Sequence, residues 1–299
     1  MKQSENYRIL ATQFLEQENL LKARKFYNKS LEINPNNIKT LYDLGYFCDK
    51  YEAENEALDI YKRIIEIDNK EPGAYYAIAV ILERRSEFIK SIEYYNKAIE
   101  YDENYYNAYL YIAEVYEKLK DYENAEINFR KAINVNEENF WAYNNYASFL
   151  EEHDRNEEAL EMFKKAIIND SDSYLAYFNI AVVYKKLKNY DLAIENYKYS
   201  ISLNKYYPYS FLNLSILHKE FKEYKEAIEI ASEGILYNND ISVLYYNRAI
   251  FLVRNNQNEL ALNDLRKAVE LSPSLKKYVE EDNDFTVLRE YDEFNEIIV

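Results

Sequence analysis

The sequence has little glycine, proline or cysteine: its 299 residues include three glycines, four prolines and one cysteine. So few glycines and prolines argue against a fold rich in turns, and 48% hydrophobic with 30% charged residues suits a mostly helical soluble protein. The lone Cys48 excludes an intramolecular disulfide and is compatible with a reducing compartment. No run approaches the roughly 18 apolar residues of a membrane span, and residues 1–10 lack the apolar core of a signal peptide. We therefore expect a cytoplasmic protein.

Groups that could support catalysis are also scarce. The two histidines, His153 and His218, lie 65 residues apart, and no cysteine or second histidine accompanies either. The sequence has no Gly-rich phosphate loop, HExxH metal motif or Ser-His-Asp arrangement. A net charge of −16 would repel a phosphate backbone. We predict that the protein is not an enzyme, has no catalytic or metal site and no cofactor, and binds neither nucleic acid nor the membrane interior.

What the sequence does have is an internal repeat of 34 residues. A small residue recurs at this spacing without insertion: Ala23, Ala57, Ser91, Ala125, Ala159, Ala193, Ala227 and Ala261. A second small residue precedes each of these by twelve positions: Ala11, Gly45, Ala79, Ala113, Ala147, Ala181, Ser215 and Ala249. The repeats span 4–37, 38–71, 72–105, 106–139, 140–173, 174–207, 208–241 and 242–275.

The spacings within a repeat predict a helical hairpin. Large or small apolar residues at repeat positions 4, 7, 8 and 11 lie on one face of a first helix, and positions 20, 24 and 27 do so for a second helix. Small residues at positions 8 and 20 let the two backbones approach closely. A single hairpin cannot bury its apolar face, so neighbouring hairpins must stack. All four prolines fall at junctions between repeats, where a helix must stop or restart.

This pattern resembles the tetratricopeptide repeat (TPR) family, in which W-x2-L-G-x2-Y is followed by A-x3-F and then P. Here Tyr or Phe generally stands for Trp and Ala for the first Gly, and Ile64 occupies a usually small position. The resemblance covers residues 4–275. It implies an all-α fold, a right-handed α-solenoid (superhelix) of eight helix-turn-helix hairpins with C-terminal capping helices. It also implies a scaffold that binds other proteins.

The period breaks after residue 275. Segment 276–299 resembles the D-F-x2-L…F tail that closes many TPR arrays, and we expect one short helix, a turn and a second helix. That second helix would carry four apolar residues that cover the last hairpin: Phe285, Leu288, Phe294 and Ile297. The N-terminus has no equivalent cap, so weak self-association through the first hairpin is possible.

The resemblance implies a binding site on the other face of the first helices, which in the TPR family lines a concave groove. We call this the groove face; it comprises repeat positions 2, 5, 6, 9, 12 and 13. Position 6 is asparagine in four successive repeats, and we call this set the Asn row: Asn145, Asn179, Asn213 and Asn247. An asparagine amide can pair with both backbone groups of an extended peptide. AYNNYA (142–147) is similar to the asparagine-ladder motif of the O-GlcNAc transferase TPR array. Asparagine is also common at position 6 across the family, so the row has a structural interpretation as well.

Neighbouring groove-face positions of repeats 5–8 carry large apolar residues, of which we expect about half to be accessible. The predicted partner-binding residues at positions 2, 5 and 9 are Trp141, Asn144, Phe178, Tyr246, Val182, Ile216 and Ile250. A rim of cations at positions 12 and 13 completes the prediction: Lys185, Lys186, Lys219 and Arg254. These features imply an extended, apolar ligand segment with some acidic character.

Other functions fit the sequence less well. A TPR clamp for a C-terminal carboxylate would need basic residues where Gly73 and Ala77 stand and asparagines where Thr12 and Asp43 stand, although Arg8 fits; Asp43 would repel the carboxylate. We therefore predict a non-catalytic interaction scaffold that binds another protein or peptide in extended conformation, chiefly through repeats 5–8. The alternatives are a self-assembling structural protein and an accessory, substrate-recognition subunit of an enzyme complex.

Overall fold

The computed structural model describes residues 2–51 and 53–298, and within them the chain forms helices joined by short turns, without a strand. The first unit contains hairpins α1 (Lys2–Glu16) with α2 (Leu20–Ile33), α3 (Ile38–Tyr51) with α4 (Glu54–Ile67), α5 (Pro72–Arg84) with α6 (Phe88–Tyr101), and α7 (Tyr106–Lys118) with α8 (Tyr122–Val135). These are followed by α9 (Phe140–Glu152) with α10 (Asn156–Asn169), α11 (Tyr174–Lys186) with α12 (Tyr190–Leu203), α13 (Pro208–Glu220) with α14 (Tyr224–Tyr237), and α15 (Ser242–Arg254) with α16 (Asn258–Leu271). The prediction of an all-α fold of tandem helical hairpins is confirmed.

The chain forms two compact units, residues 1–142 and 143–299, and the boundary falls inside α9. Each unit has its own apolar core. Phe47, Tyr61 and Tyr95 are buried in the first unit, and Tyr197 and Phe251 in the second. Burying one such side chain contributes about 2 kcal/mol to the free energy of folding. Stacking the hairpins therefore provides the buried apolar surface that a single hairpin cannot form.

Close helix contacts explain the small residues at repeat positions 8 and 20. Ala113 and Ala125, which hold these positions in repeat 4, are fully buried. Gly45 holds position 8 of repeat 2, where a Cβ atom would lie 2.8 Å from the Tyr61 ring. Even a methyl group at this position would force the ring to move, which is why glycine is the residue that fits.

The turn within seven of the hairpins is closed by a residue with left-handed backbone conformation. Lys120 shows the pattern: its φ is 61°, and the amide of Asp121 donates to the carbonyl of Tyr116 at 2.9 Å. This is a Schellman C-cap, which satisfies the last carbonyls of the first helix. The same conformation recurs at repeat position 15 without any glycine: Glu18, Ser86, Lys120, Asp154, Lys188, Lys222 and Asn256.

The C-terminal segment differs in part from its prediction. It consists of α17 (Leu275–Glu281), a 3-10 helix (Asn283–Glu290) and α18 (Asp292–Ile298). Phe285 and Leu288 therefore lie on the 3-10 helix and Phe294 and Ile297 on α18, so the expectation of one second helix carrying all four was wrong. All four side chains are buried in one core cluster with residues of α15 and α16. The segment thus covers the last hairpin, and all four of the predicted apolar side chains are buried against it.

Candidate functional site

The four side chains of the Asn row are half-buried on first helices α9, α11, α13 and α15. Their amides make different bonds. Asn179 Nδ2 donates to Asn144 Oδ1 at 3.2 Å, whereas Asn247 Nδ2 donates to the Val243 carbonyl of its own helix at 2.9 Å. Asn145 Oδ1 accepts a hydrogen bond from Asn144 Nδ2 at 3.3 Å. The row is therefore regular in sequence position but not in hydrogen bonding.

These bonds orient the amides. The carbonyl of Val243 can only accept, so the NH2 group of Asn247 must face its helix and Oδ1 must face away. Among the described residues, no donor bonds Oδ1 of Asn179 or Asn247, and both oxygens reach solvent. The open groups of Asn179 and Asn247 are thus acceptors, which suit the N–H groups of a ligand.

The predicted apolar contacts divide into accessible and buried ones. Trp141 is 54% exposed, but it precedes the boundary at 142 and belongs to the first unit. Four predicted side chains in the second unit are half-buried: Phe178, Val182, Ile216 and Tyr246. Asn144 and Ile250 are 4% and 5% exposed, so their prediction as direct contacts was wrong. Asn144 is buried and accepts a hydrogen bond from Asn179 of the Asn row. Ile250 packs in the core cluster that the C-terminal segment completes.

The cations predicted as a basic rim are all paired with carboxylates. Lys185 contacts Glu220 at 2.8 Å, and Lys186 contacts Glu151 at 2.5 Å. In both pairs, position 12 of one repeat faces position 13 of the next. The first unit has the same pairing between Glu83 and Lys118. The sequence contains a signal for this pairing: in each pair, residues of opposite charge are separated by 35 positions, from position 12 of one repeat to position 13 of the next. The expectation of a locally basic rim was therefore wrong.

The last pair of this series would join two cations, Lys219 and Arg254, and the C-terminal segment supplies the missing carboxylate. Asp284 contacts Lys219 at 3.3 Å and also bonds Arg254. Burial tends to raise the pKa of the Asp284 carboxyl, but the hydrogen bond from Arg254 and the charge of Lys219 outweigh it, so the pKa is lowered. Beside it, the Tyr246 hydroxyl donates to Asp282. Sequence reasoning missed both aspartates, because their neighbours are set only by how the segment folds back.

A cluster of aromatic rings lies next to the Asn row at the start of α11 and α13. We call it the aromatic row: Tyr174, Phe178, Tyr207 and Tyr209. The Tyr207 ring lies 5.0 Å from Tyr174, 5.2 Å from Phe178 and 5.4 Å from Tyr209, centroid to centroid. Tyr209 is 52% exposed and the other three are half-buried. Tyr174 and Tyr207 were not predicted as partner-binding residues. A signal was present in the sequence, because Tyr207 at repeat position 34 is followed by Tyr209 at position 2 of the next repeat.

Several polar side chains on the groove face of the first unit are bonded within that unit. Arg8 contacts Asp43 at 2.7 Å and also pairs with Glu5 on its own helix. The hydroxyl of Tyr95 donates to Glu83 at 2.8 Å, and Lys118 bonds the other oxygen of Glu83. These polar groups already have partners of opposite charge or complementary hydrogen bonding.

Each of the two histidines is bonded to a residue close to it in the chain. His218 Nδ1 bonds Glu223 at 2.6 Å, and His153 Nδ1 bonds the Phe149 carbonyl at 2.7 Å. Within 2–51 and 53–298, no three His, Cys, Asp or Glu side chains are grouped so as to hold a metal ion. Over the same residues, no helix has both the length and the apolar composition needed to cross a membrane.

Solved structures with low sequence identity share the fold. Yeast Tom70 matches with a TM-score of 0.63 and 17% identity, over 91% of this chain and 58% of the Tom70 chain. PilF of Pseudomonas aeruginosa matches with a TM-score of 0.58 and 21% identity, over 74% of this chain and 98% of its own. A chain of the APC/C hetero-tetramer Cut9–Hcn1 matches with a TM-score of 0.58 and 14% identity, over 94% of this chain and 53% of its own. No curated protein matches the sequence.

The family comparison agrees with the hairpin fold. The family model for the tetratricopeptide repeat matches 10–37, 72–105, 106–139, 174–207 and 243–275, more than half of the chain. The similarity of the Asn row to the O-GlcNAc transferase ladder stays a prediction. The 34-residue period, the stacked hairpins and this match lead to one conclusion: the chain belongs to the tetratricopeptide repeat family.

Proposed function

We propose that the chain is a non-catalytic interaction scaffold, acting in the cytoplasm, that binds an extended polypeptide along the groove face of repeats 5–8. The observation that carries the proposal is the Asn row, whose amides recur at one repeat position on successive first helices and in which the oxygens of Asn179 and Asn247 reach solvent. An extended segment presents N–H groups at regular intervals, so successive repeats can bond successive parts of one ligand.

The charge pairing changes the expected ligand. Because Lys185 and Lys186 are each neutralised by a glutamate of the same unit, an acidic ligand gains little from them. We therefore propose an uncharged, partly apolar segment in place of one with acidic character. Each hydrogen bond contributes about 0.5–1.5 kcal/mol net, and ordering a flexible ligand offsets part of it. We therefore expect the chain to bind such a segment with micromolar affinity.

A peptide selected from a random display library on the full chain provides the ligand for a test. Replacing the four residues of the Asn row by alanine should weaken its binding at least about a hundredfold in calorimetry, because several bonds are lost together. The matched control replaces three asparagines exposed on second helices: Asn28, Asn96 and Asn134. Unchanged affinity in the Asn-row variant, with the helical circular dichroism retained, contradicts the proposal.

Self-association through the first hairpin stays a prediction. Sedimentation velocity over a concentration series tests it, since a strict monomer would exclude it.

A further inference from the structure

The aromatic row has an unusual combination of accessible rings and open hydroxyls. Three of its members are tyrosines, and within the described residues none of their hydroxyls forms a hydrogen bond. The oxygens of Tyr174 and Tyr207 nevertheless reach solvent. Burial, followed by the nearby hydroxyls of Tyr174 and Tyr209, raises the pKa of Tyr207 to about 12, so this phenol stays protonated at neutral pH. The row thus presents ring faces together with O–H donors.

The spacing of the rings fits a particular backbone conformation. Tyr174 and Tyr209 flank Tyr207 at 5.0 and 5.4 Å, so the outer two rings lie within about 10 Å of each other. In a polyproline II helix, residues three apart share a face and lie about 9 Å apart along the axis. This upper limit leaves room for two prolines at i and i+3, each against one of the outer rings.

The hydrogen-bonding and charge requirements agree with this ligand. A polyproline II backbone has no internal hydrogen bonds, and each proline offers a carbonyl acceptor but no N–H donor. Phenol donors are the groups such a backbone needs, whereas the acceptors of the Asn row suit flanking residues that retain their N–H. Lys185 and Lys186, at the other end of α11, are neutralised by Glu220 and Glu151, which favours an uncharged segment.

Building on the proposed function, we propose that the aromatic row is a subsite for a proline-containing segment of the partner in polyproline II conformation. Such a segment is ordered before binding, so it loses less conformational entropy than a flexible one. Tyr209 is the principal contact because its ring is the most exposed of the row, and Tyr207 donates from the centre.

The test is a calorimetric titration of the full chain with acetyl-decaproline-amide, beside a glycine–serine decapeptide as the proline-free probe. We expect saturable binding of decaproline only. Tyr209→Ala should weaken it about tenfold through loss of ring contact, and Tyr207→Phe about threefold through loss of one hydroxyl. Tyr206→Ala is the matched control: this tyrosine is 75% exposed, and its ring packs against Tyr237 of second helix α14.

The outcomes separate this inference from the function on which it rests. No saturable binding of decaproline, or equal weakening by Tyr206→Ala and Tyr209→Ala, overturns the inference. If a proline-free library peptide still binds through the Asn row in that case, the proposed function stands. If decaproline binds and the Asn-row variant binds every probe unchanged, the aromatic subsite stands and the Asn row has no binding role.

Discussion

The groove faces of the two units use polar residues in different ways. In the first unit, tyrosine hydroxyls are bonded to carboxylates: Tyr95 donates to Glu83 and Tyr42 to Glu71. In the second unit, Asn179 and Asn247 keep amide oxygens, and the aromatic row keeps phenol hydroxyls, that no described residue bonds. Near its C-terminal end the second unit also has the tyrosine–carboxylate arrangement, because Tyr246 donates to Asp282.

The difference shows that repeat position alone does not make a polar group available to a ligand. Tyr42 and Phe178 both hold position 5, yet the hydroxyl of Tyr42 bonds a carboxylate within its own unit, while Phe178 joins a row of partly accessible rings. A buried hydroxyl needs its partner for stability, whereas a solvent-facing group can exchange water for a ligand. We therefore expect substitutions on the groove face to reduce stability in the first unit and binding in the second.

The largest expected effect on stability is at Glu83. Glu83→Ala leaves the hydroxyl of buried Tyr95 without its acceptor and removes the partner of Lys118, which should lower the free energy of unfolding by about 2 kcal/mol. Urea denaturation followed by circular dichroism measures this. Glu93→Ala, at an exposed position on α6, is the control and should change stability by less than about 0.5 kcal/mol. A similar small effect for Glu83→Ala would remove the distinction between the units.

A second prediction concerns alkaline pH. Burial raises the pKa of Tyr42, Tyr76 and Tyr95 above that of an exposed tyrosine. Their contribution to stability is present below the unfolded pKa of about 10 and is lost as pH rises, because only the unfolded chain then ionises. Between pH 10 and 11, each such tyrosine removes up to about 1.4 kcal/mol.

Tyr95→Phe should therefore show a smaller loss of unfolding free energy than the unsubstituted chain between pH 9 and pH 11. Urea denaturation at the two pH values measures the difference. Tyr206→Phe, at an exposed ring in the second unit, is the matched control. Parallel losses in Tyr95→Phe and the unsubstituted chain would contradict the inference that the buried Tyr95 hydroxyl stays protonated in the folded chain.

A third prediction sharpens the comparison within the Asn row. Asn179→Ala removes a bond to buried Asn144 and should cost about 1 kcal/mol. Asn247→Ala removes only a bond to the carbonyl four residues back, and alanine is the better helix former, so stability should stay unchanged or rise slightly. Thermal denaturation of the two variants measures this. Equal destabilisation would indicate that both amides have structural roles.

The smallest expected effect should be the same in both units. Lys120 and Lys188 are non-glycine residues with left-handed backbone at the turn of a hairpin. Glycine relieves the steric cost but raises the entropy of the unfolded chain, so Lys120→Gly and Lys188→Gly should each stabilise by about 0.5 kcal/mol. Urea denaturation is again the measurement. A clear difference between the stability changes of the two variants would mean that the turns are not equivalent, although both lysines hold the same repeat position.

Most of the fold was predictable from the sequence because helix packing repeats locally. Small residues such as Ala113 and Ala125 mark where two helices of one hairpin touch, and their spacing sets the period. The left-handed turn at Lys120 was not predictable, since its usual marker, glycine, is absent. The split of the C-terminal segment into a 3-10 helix and α18 also escaped prediction, because the apolar spacing of Phe285 and Leu288 suits either kind of helix.

The candidate site was predictable only as a set of positions. The Asn row lies on the expected helices and half-buried, but the accessibility of individual residues depended on their neighbours. Ile250 is covered because the C-terminal segment completes the core around it. Arg254 lost its expected role because Asp284, thirty residues later, folds back to pair with it.

By itself, the sequence determined the helical period, the pairing of helices into hairpins and the repeat positions that face away from the core. These follow from interactions within about 34 residues, where the spacing of small and large side chains decides which faces pack. The tertiary structure alone decided which polar groups stay open, such as Oδ1 of Asn247, and which are closed, such as the hydroxyl of Tyr95. The physical reason is that a hydrogen bond depends on where atoms from different helices meet, which residue spacing does not specify.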